Sequence, residues 1–490
     1  LAAGSRFKFG PLSRLASLAA LGASVSPWRA GTTVSPGLAG SPTTSREARP
    51  IPGSRLRRSL RACTTEGLFA EVVGACAGGA VLTGWAIHLH ASTLLTGVVV
   101  ALPQLAQLMQ LPGAWTTAWL GHRRAGVLLI GASRLVSLPL VLLPLLHPTQ
   151  ATAHALLVTV ATAAAVLGVL GNNAWVSWMG ELVPRRIRGR YFGRRTALCT
   201  VGGAAASAAA GLLLDWARPR GLTGFALAAL QVLASVAGIV TAVLLGRTHD
   251  PSPRLEAPPR SPRPALRPFR DPAMRGLLGY LAAWNLAVGF AGSFFSLHML
   301  KNLRMGFTLV ALHGATLAAA RVLAAPLWGR AIDRLGARPV LITCSFGISV
   351  IPLIWLVVAP GLLWPLAFDA IMAGVLWGGH NLAAFALPLS VTPRRGRPHY
   401  LAALAVTSGV SFSVATALGG ALAGLLPATF SVARHSFVNL QVLFAVSAVL
   451  RLGAAFVALR IHEPAAAGVS ALFAEVRRRP APVEPRRAAG

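Results

Sequence analysis

An acid inside an apolar run is the residue type most able to do chemistry here, and Asp369 is the clearest case. It stands about eight residues into the run 361–389, roughly 12 Å from the nearer end at ~1.5 Å per residue if that run is helical. A carboxylate at such depth is costly unless it is protonated or paired, so it can exchange a proton as its surroundings change. The competing reading is a structural Asp held by interhelical hydrogen bonds. Glu71 is shallower, about one helical turn from the edge of its run, where a loop arginine could pair with it. Other polar groups inside apolar runs are Asn172, Asn173, Asn285, His298, Arg321, Trp377, His380 and Asn381. They are candidates for a solute or ion path, or for hydrogen-bond glue between helices. His298 is the candidate partner of Asp369, whereas Arg321 belongs too far toward the other end of its run. Arg134 and Arg451 are expected to snorkel or pair rather than touch a solute.

Covalent chemistry has no comparable signal. The chain holds no phosphate-binding loop, no G-x-S-x-G and no H-E-x-x-H. Cys63, Cys76, Cys199 and Cys344 are scattered and lack metal-ligand spacing. The sequence therefore implies no catalytic residue, no bound metal and no cofactor.

The elements that must position these groups are apolar. Of 490 residues, 54% are hydrophobic and 12% charged, about half the charge fraction of a soluble domain. Runs with at most two charges exceed the ~20 residues that cross a bilayer, and backbone groups in hydrocarbon must pair within a helix. Such runs fall at about 67–90, 94–118, 125–146, 152–179, 192–214 and 222–246, then at 275–299, 307–328, 338–359, 361–389, 400–426 and 436–459. The expected fold is an all-α integral membrane protein of about twelve transmembrane helices in two pseudo-symmetric six-helix bundles, 63–246 and 275–462. Between them, 247–274 is rich in proline and arginine and reads as a cytoplasmic linker. Residues 1–62 read as a basic disordered tail and 463–490 as a basic cytoplasmic tail.

The net charge is +32, and all the basic residues except Lys8 and Lys301 are arginine. They alternate with the runs rather than forming a nucleic-acid face. One set of loops carries Arg123–Arg124, Arg185–Arg195, the linker cluster, Arg330–Arg338 and Arg394–Arg397. The opposite set carries Arg218, Arg220, Lys301, Arg304 and Arg434. By the positive-inside rule the rich set is cytoplasmic, and an even number of spans places both termini there. The expected setting is a membrane, with the lipid bilayer as partner and no nucleic acid.

The halves echo each other. Pro184–Tyr191 and Pro393–Tyr400 share the pattern PRRxRxxY, with Asn172 and Asn381 at the same offset upstream. Between the eighth and ninth runs stand Gly329, Asp333, Arg334, Gly336 and Arg338, spaced as G-x-x-x-D-R-x-G-x-R. This resembles the cytoplasmic loop signature of the major facilitator superfamily. In the first half Gly121, Arg123 and Arg124 survive, but Ala118 and Trp119 occupy the Asp-Arg positions.

The stretch Trp175–Arg195 further resembles a broad bacterial group of that superfamily without an assigned substrate. The resemblance covers residues 64–462 and implies a monomeric secondary transporter of a bacterial inner membrane moving a small solute by alternating access, with protons a candidate coupling ion and no enzymatic activity. It also implies that the first, fourth, seventh and tenth spans line a central cavity, and that Asp333 helps to hold the cytoplasmic side closed. The alternative is a membrane protein of the same fold that does not transport and acts as an assembly factor or sensor.

Overall fold

In a computed structural model, residues 53–184, 187–250, 263–391, 397–432, 435–463 and 466–468 are described. The transmembrane helices are α1 (Ser54–His88), α2 (Thr93–Met109, continued by Gln110–Leu120), α3 (His122–Leu146), α4 (Gln150–Leu182), α5 (Tyr191–Arg220) and α6 (Thr223–Gly246). The second set is α7 (Met274–Asn302), α8 (Phe307–Leu335), α9 (Ala337–Val357), α10 (Trp364–Pro388), α11 (Ala403–Leu425) and α12 (Asn439–Ala458). Eleven meet the length and hydropathy of a membrane span and α2 is the shorter one, in line with the expected twelve. Their outward surfaces remain apolar, as at Leu323 and Val449, which are 70% and 71% exposed. Exposed side chains of this kind suit lipid, not water.

Some boundaries differ from the sequence reading. α1 starts well before residue 62, because the basic stretch ahead of the apolar run stays helical. Within the linker, Arg263–Arg270 forms a short helix despite Pro268, while residues 251–262 lie outside the described residues. So do residues 1–52 and most of 463–490, where the two tails were expected. A hairpin of β1 (Thr429–Val432) and β2 (His435–Val438) joins α11 to α12.

The internal repeat is visible in geometry. Gly121 and Gly336, the retained glycines of the two loop signatures, have φ of +83° and +91°, a region that glycine enters without a Cβ clash. The repeat tyrosines also act alike. The Tyr191 hydroxyl donates to the Leu60 carbonyl at the start of α1, 3.1 Å. That of Tyr400 donates to Asp271 just before α7, 2.8 Å. The Asp271 bond raises the Tyr400 pKa and keeps it a neutral donor. Both first helices of the sets break: α1 at Gly78–Gly79, and α7 at Ser293–Phe294.

Packing between the sets runs mainly through α2 against α11 and α5 against α8. At the arginine-poor face one apolar core spans both sets, joining Trp85, Leu214 and Leu227 to Phe294, Phe307 and Trp355. At the arginine-rich face the core divides. One cluster around Cys63, Trp178 and Leu245 belongs to the first set, and another around Tyr280, Trp284 and Leu341 to the second. The molecule is thus sealed at the arginine-poor face and parted at the other.

Candidate functional site

Between the sets lies a cavity of about 710 Å³, lined from α1, α5, α7, α8, α9, α10, α11 and α12. Asp369 is on its wall, 2% exposed. The chain positions it by close packing of α10 on α8. A Cβ added at Gly374 would sit 2.6 Å from the Ala320 Cβ, so only glycine permits this approach. It brings His313 of α8 to Asp369, with Nε2 2.9 Å from Oδ2. The indole Nε1–H of Trp355, from α9, donates to Oδ1 at 2.9 Å. Trp355 is fixed in turn by Phe295, His298 and Phe444, whose rings surround it.

Both carboxylate oxygens are therefore engaged deep in the span, and an imidazole is one partner. If His313 is protonated the contact is an ion pair; if neutral, its Nε2–H donates to a carboxylate. Arg451 of α12 lines the same cavity, 2% exposed, so it is interior rather than snorkelled. α12 packs along α7 and α9 instead of facing lipid on every side.

The other sequence candidates divide. Glu71 lines the central cavity beside Gly203. Trp377 lines it too, and with Val288 and Phe412 forms the wall shared with a second cavity of about 440 Å³. That second space, toward the arginine-rich face, is lined by Asn285, His380 and Asn381. Asn285 bonds the Leu281 carbonyl within its own helix, 2.8 Å. His380 is stacked on Trp284 with centroids 4.7 Å apart, and its Nε2 meets the Tyr280 hydroxyl at 2.8 Å. Asn173 ties α4 to α2 through the Gln110 carbonyl, 2.8 Å. Asn172 is exposed and lines neither cavity.

Two assignments change. His298 does not reach Asp369. It sits in a π-turn at the end of α7 and pairs with Asn302 at 3.0 Å, because the break in α7 turns that segment into the aromatic cluster. Arg321 is exposed and borders neither cavity; its backbone packs along Gly374 and Gly378. The sequence reading missed His313, Trp355 and the cavity role of Arg451. A lone arginine in the apolar run 437–459 was the available signal. It also missed a buried pair, Glu66 with Arg195 at 3.1 Å, the guanidinium lying 4.7 Å over Trp175. That pair joins α1, α4 and α5 away from the cavity.

In the loop signature, Arg338 closes the end of α12 by donating to the carbonyls of Ile461 (2.6 Å) and Leu459 (3.0 Å), as a cation at a helix C-terminus should. Glu463 accepts from the Arg338 backbone N–H at 2.8 Å. Asp333 is exposed and has no hydrogen bond among the described residues. Gly329 has open space where a Cβ would stand. Among the described residues no three His, Cys, Asp or Glu side chains come together as a metal site.

Residues 281–488 match the family model of the Major Facilitator Superfamily. The curated proteins give no match. Among solved structures, the chain is similar to a D-xylose–proton symporter, with 13% identity, a TM-score of 0.63, and 84% of this chain and 98% of that one covered. For a point mutant of the nucleoside transporter NupG the identity is 11% and the TM-score 0.61, over 82% and 99%. For a bacterial homologue of the iron transporter ferroportin in its inward-facing state they are 13% and 0.59, over 84% and 99%. At these identities the likeness is one of fold, and the match to the Major Facilitator Superfamily model is confined to the second half of the chain.

Proposed function

We propose that this protein is a secondary active transporter that moves a small solute by alternating access, with proton exchange at the Asp369–His313 pair as its coupling step. The carrying observation is a cavity between two sets of helices, sealed at one face, with an ionisable pair on its wall. Such a cycle needs places where helices can bend, and the breaks in α1 and α7 stand where the cavity meets the sealed face. We place the arginine-rich face in the cytoplasm on the positive-inside rule, so the conformation is open inward. A membrane protein acting only as an assembly factor has no need of an ionisable pair inside a solute-sized space.

Proteoliposomes test this. Asp369→Asn is expected to remain folded and to exchange solute between equal pools, while losing accumulation driven by a pH gradient. If the variant accumulates solute up a proton gradient as the parent does, Asp369 is not the coupling site. If no solute from a broad metabolite panel crosses even with the parent protein, the transport reading itself falls.

A further inference from the structure

Arg451 is the thirteenth of the 20 residues of α12, and helical side chains lean toward the N-terminus of their helix. For α12 that direction is the sealed face, so the guanidinium is carried toward the closed end of the cavity. It is 2% exposed, and its Nε is buried without an acceptor. Among the described residues it makes no hydrogen bond and no ion pair within contact distance. Asp369 shares the cavity wall, but both its oxygens are already held by His313 and Trp355. A guanidinium withdrawn from water without an acceptor is strongly disfavoured. Arg451 lines the central cavity, where an incoming molecule can satisfy its donors.

We propose that Arg451 anchors a solute carrying a single carboxylate in the central cavity. The inference rests on the transporter reading and names its substrate class. A guanidinium fork matches a carboxylate through two parallel hydrogen bonds. Glu71 and Asp369 line the same cavity, and two carboxyl groups close to the anchor leave no donors for a second anionic group, which disfavours a phosphate dianion. The remaining wall supplies Phe295, Phe307, Phe412 and Trp377 beside Gly and Ala positions. Such a surface suits a flat, apolar body behind the carboxylate.

The test uses the full-length protein in lipid nanodiscs, with benzoate as probe and benzamide as its uncharged counterpart. Benzoate is expected to raise the unfolding temperature and benzamide to leave it unchanged. Arg451→Gln is expected to weaken radiolabelled benzoate binding by about tenfold or more, the scale of a charge-assisted bond. The ligand-free variant should unfold no earlier than the parent, because the lost charge had no contact partner; a structural arginine would lower it. Arg451→Lys, which keeps the charge and loses the fork, should bind with intermediate affinity. Equal stabilisation by benzoate and benzamide overturns the proposal. So does parental benzoate affinity in Arg451→Gln, or no response to benzoate, phenylacetate and acetate alike. Uptake separates this inference from the one beneath it. Neutral solutes accumulating equally in parent and Arg451→Gln would leave transport standing and remove the carboxylate. Benzoate bound at Arg451 with no panel solute crossing would do the reverse.

Discussion

Asp369 keeps its place in the membrane because two donors from two other helices meet its two oxygens. Each bond to a charged group contributes about 1.5–3 kcal/mol net, and a buried oxygen left without a donor costs a comparable amount. Trp355→Phe removes one donor while preserving most of the ring. It should destabilise the protein by ~1–3 kcal/mol, read as a lower unfolding temperature in the same membrane mimetic. An unchanged midpoint would show that the indole bond contributes nothing. The acid itself was legible in the sequence, since one carboxylate in an apolar run needs no structure to be noticed. Its partners were not. His313 lies 56 residues away and Trp355 14, and spacing within one helix does not say which faces of different helices meet. His298 was as close in pattern, but the break at Ser293–Phe294 took it elsewhere.

The helices bring these residues together through small side chains at close approaches. α10 presents Gly374 and Gly378 to α8 four residues apart, and their imagined Cβ atoms meet the α8 backbone around Leu317 and Arg321. This is the packing by which helices associate in lipid, where apolar burial gives little drive. Gly374→Val should push α8 from α10 and separate His313 from Asp369, without altering an ionisable group. The expected result is loss of pH-driven accumulation together with ~1–3 kcal/mol of destabilisation from overpacking. Parental accumulation in Gly374→Val would show that the contact is not needed. The spans, their alternating arginines and the PRRxRxxY repeat could be read from sequence because hydropathy and topology leave a mark on every segment. Gly374 could not be singled out from the 50 glycines of the chain, since a close approach is a property of two helices.

For the whole molecule, the sealed face depends on a bond between the sets. Asp215, in the last turns of α5, accepts from the first amides of α8, Phe307 N–H at 2.7 Å and Thr308 N–H at 2.9 Å. A carboxylate at a helix N-terminus satisfies donors that the helix cannot and meets the positive end of its dipole. At the other end of α8, Asp333 is exposed and has no hydrogen bond among the described residues. An acid thus stands at each end of α8, Asp215 of α5 engaged at one and its own Asp333 without a hydrogen bond at the other. The loop signature made Asp333 legible. Asp215 was not, because its role exists only when the two sets close, and closure is a choice between packings that differ by little. Asp215→Ala should weaken the seal, with loss of bonds worth ~1.5–3 kcal/mol each before relaxation, enough to move the two-state balance by about tenfold. Asp333→Asn should act in the opposite sense and favour the conformation seen here. An Ala311→Cys reporter on the cavity wall, in a background without the four native cysteines, reads both. Membrane-impermeant maleimide applied from the arginine-poor face should label Asp215→Ala faster than the parent, and applied from the arginine-rich face should label Asp333→Asn faster. Unchanged rates from both sides would mean that the faces are held by apolar packing alone.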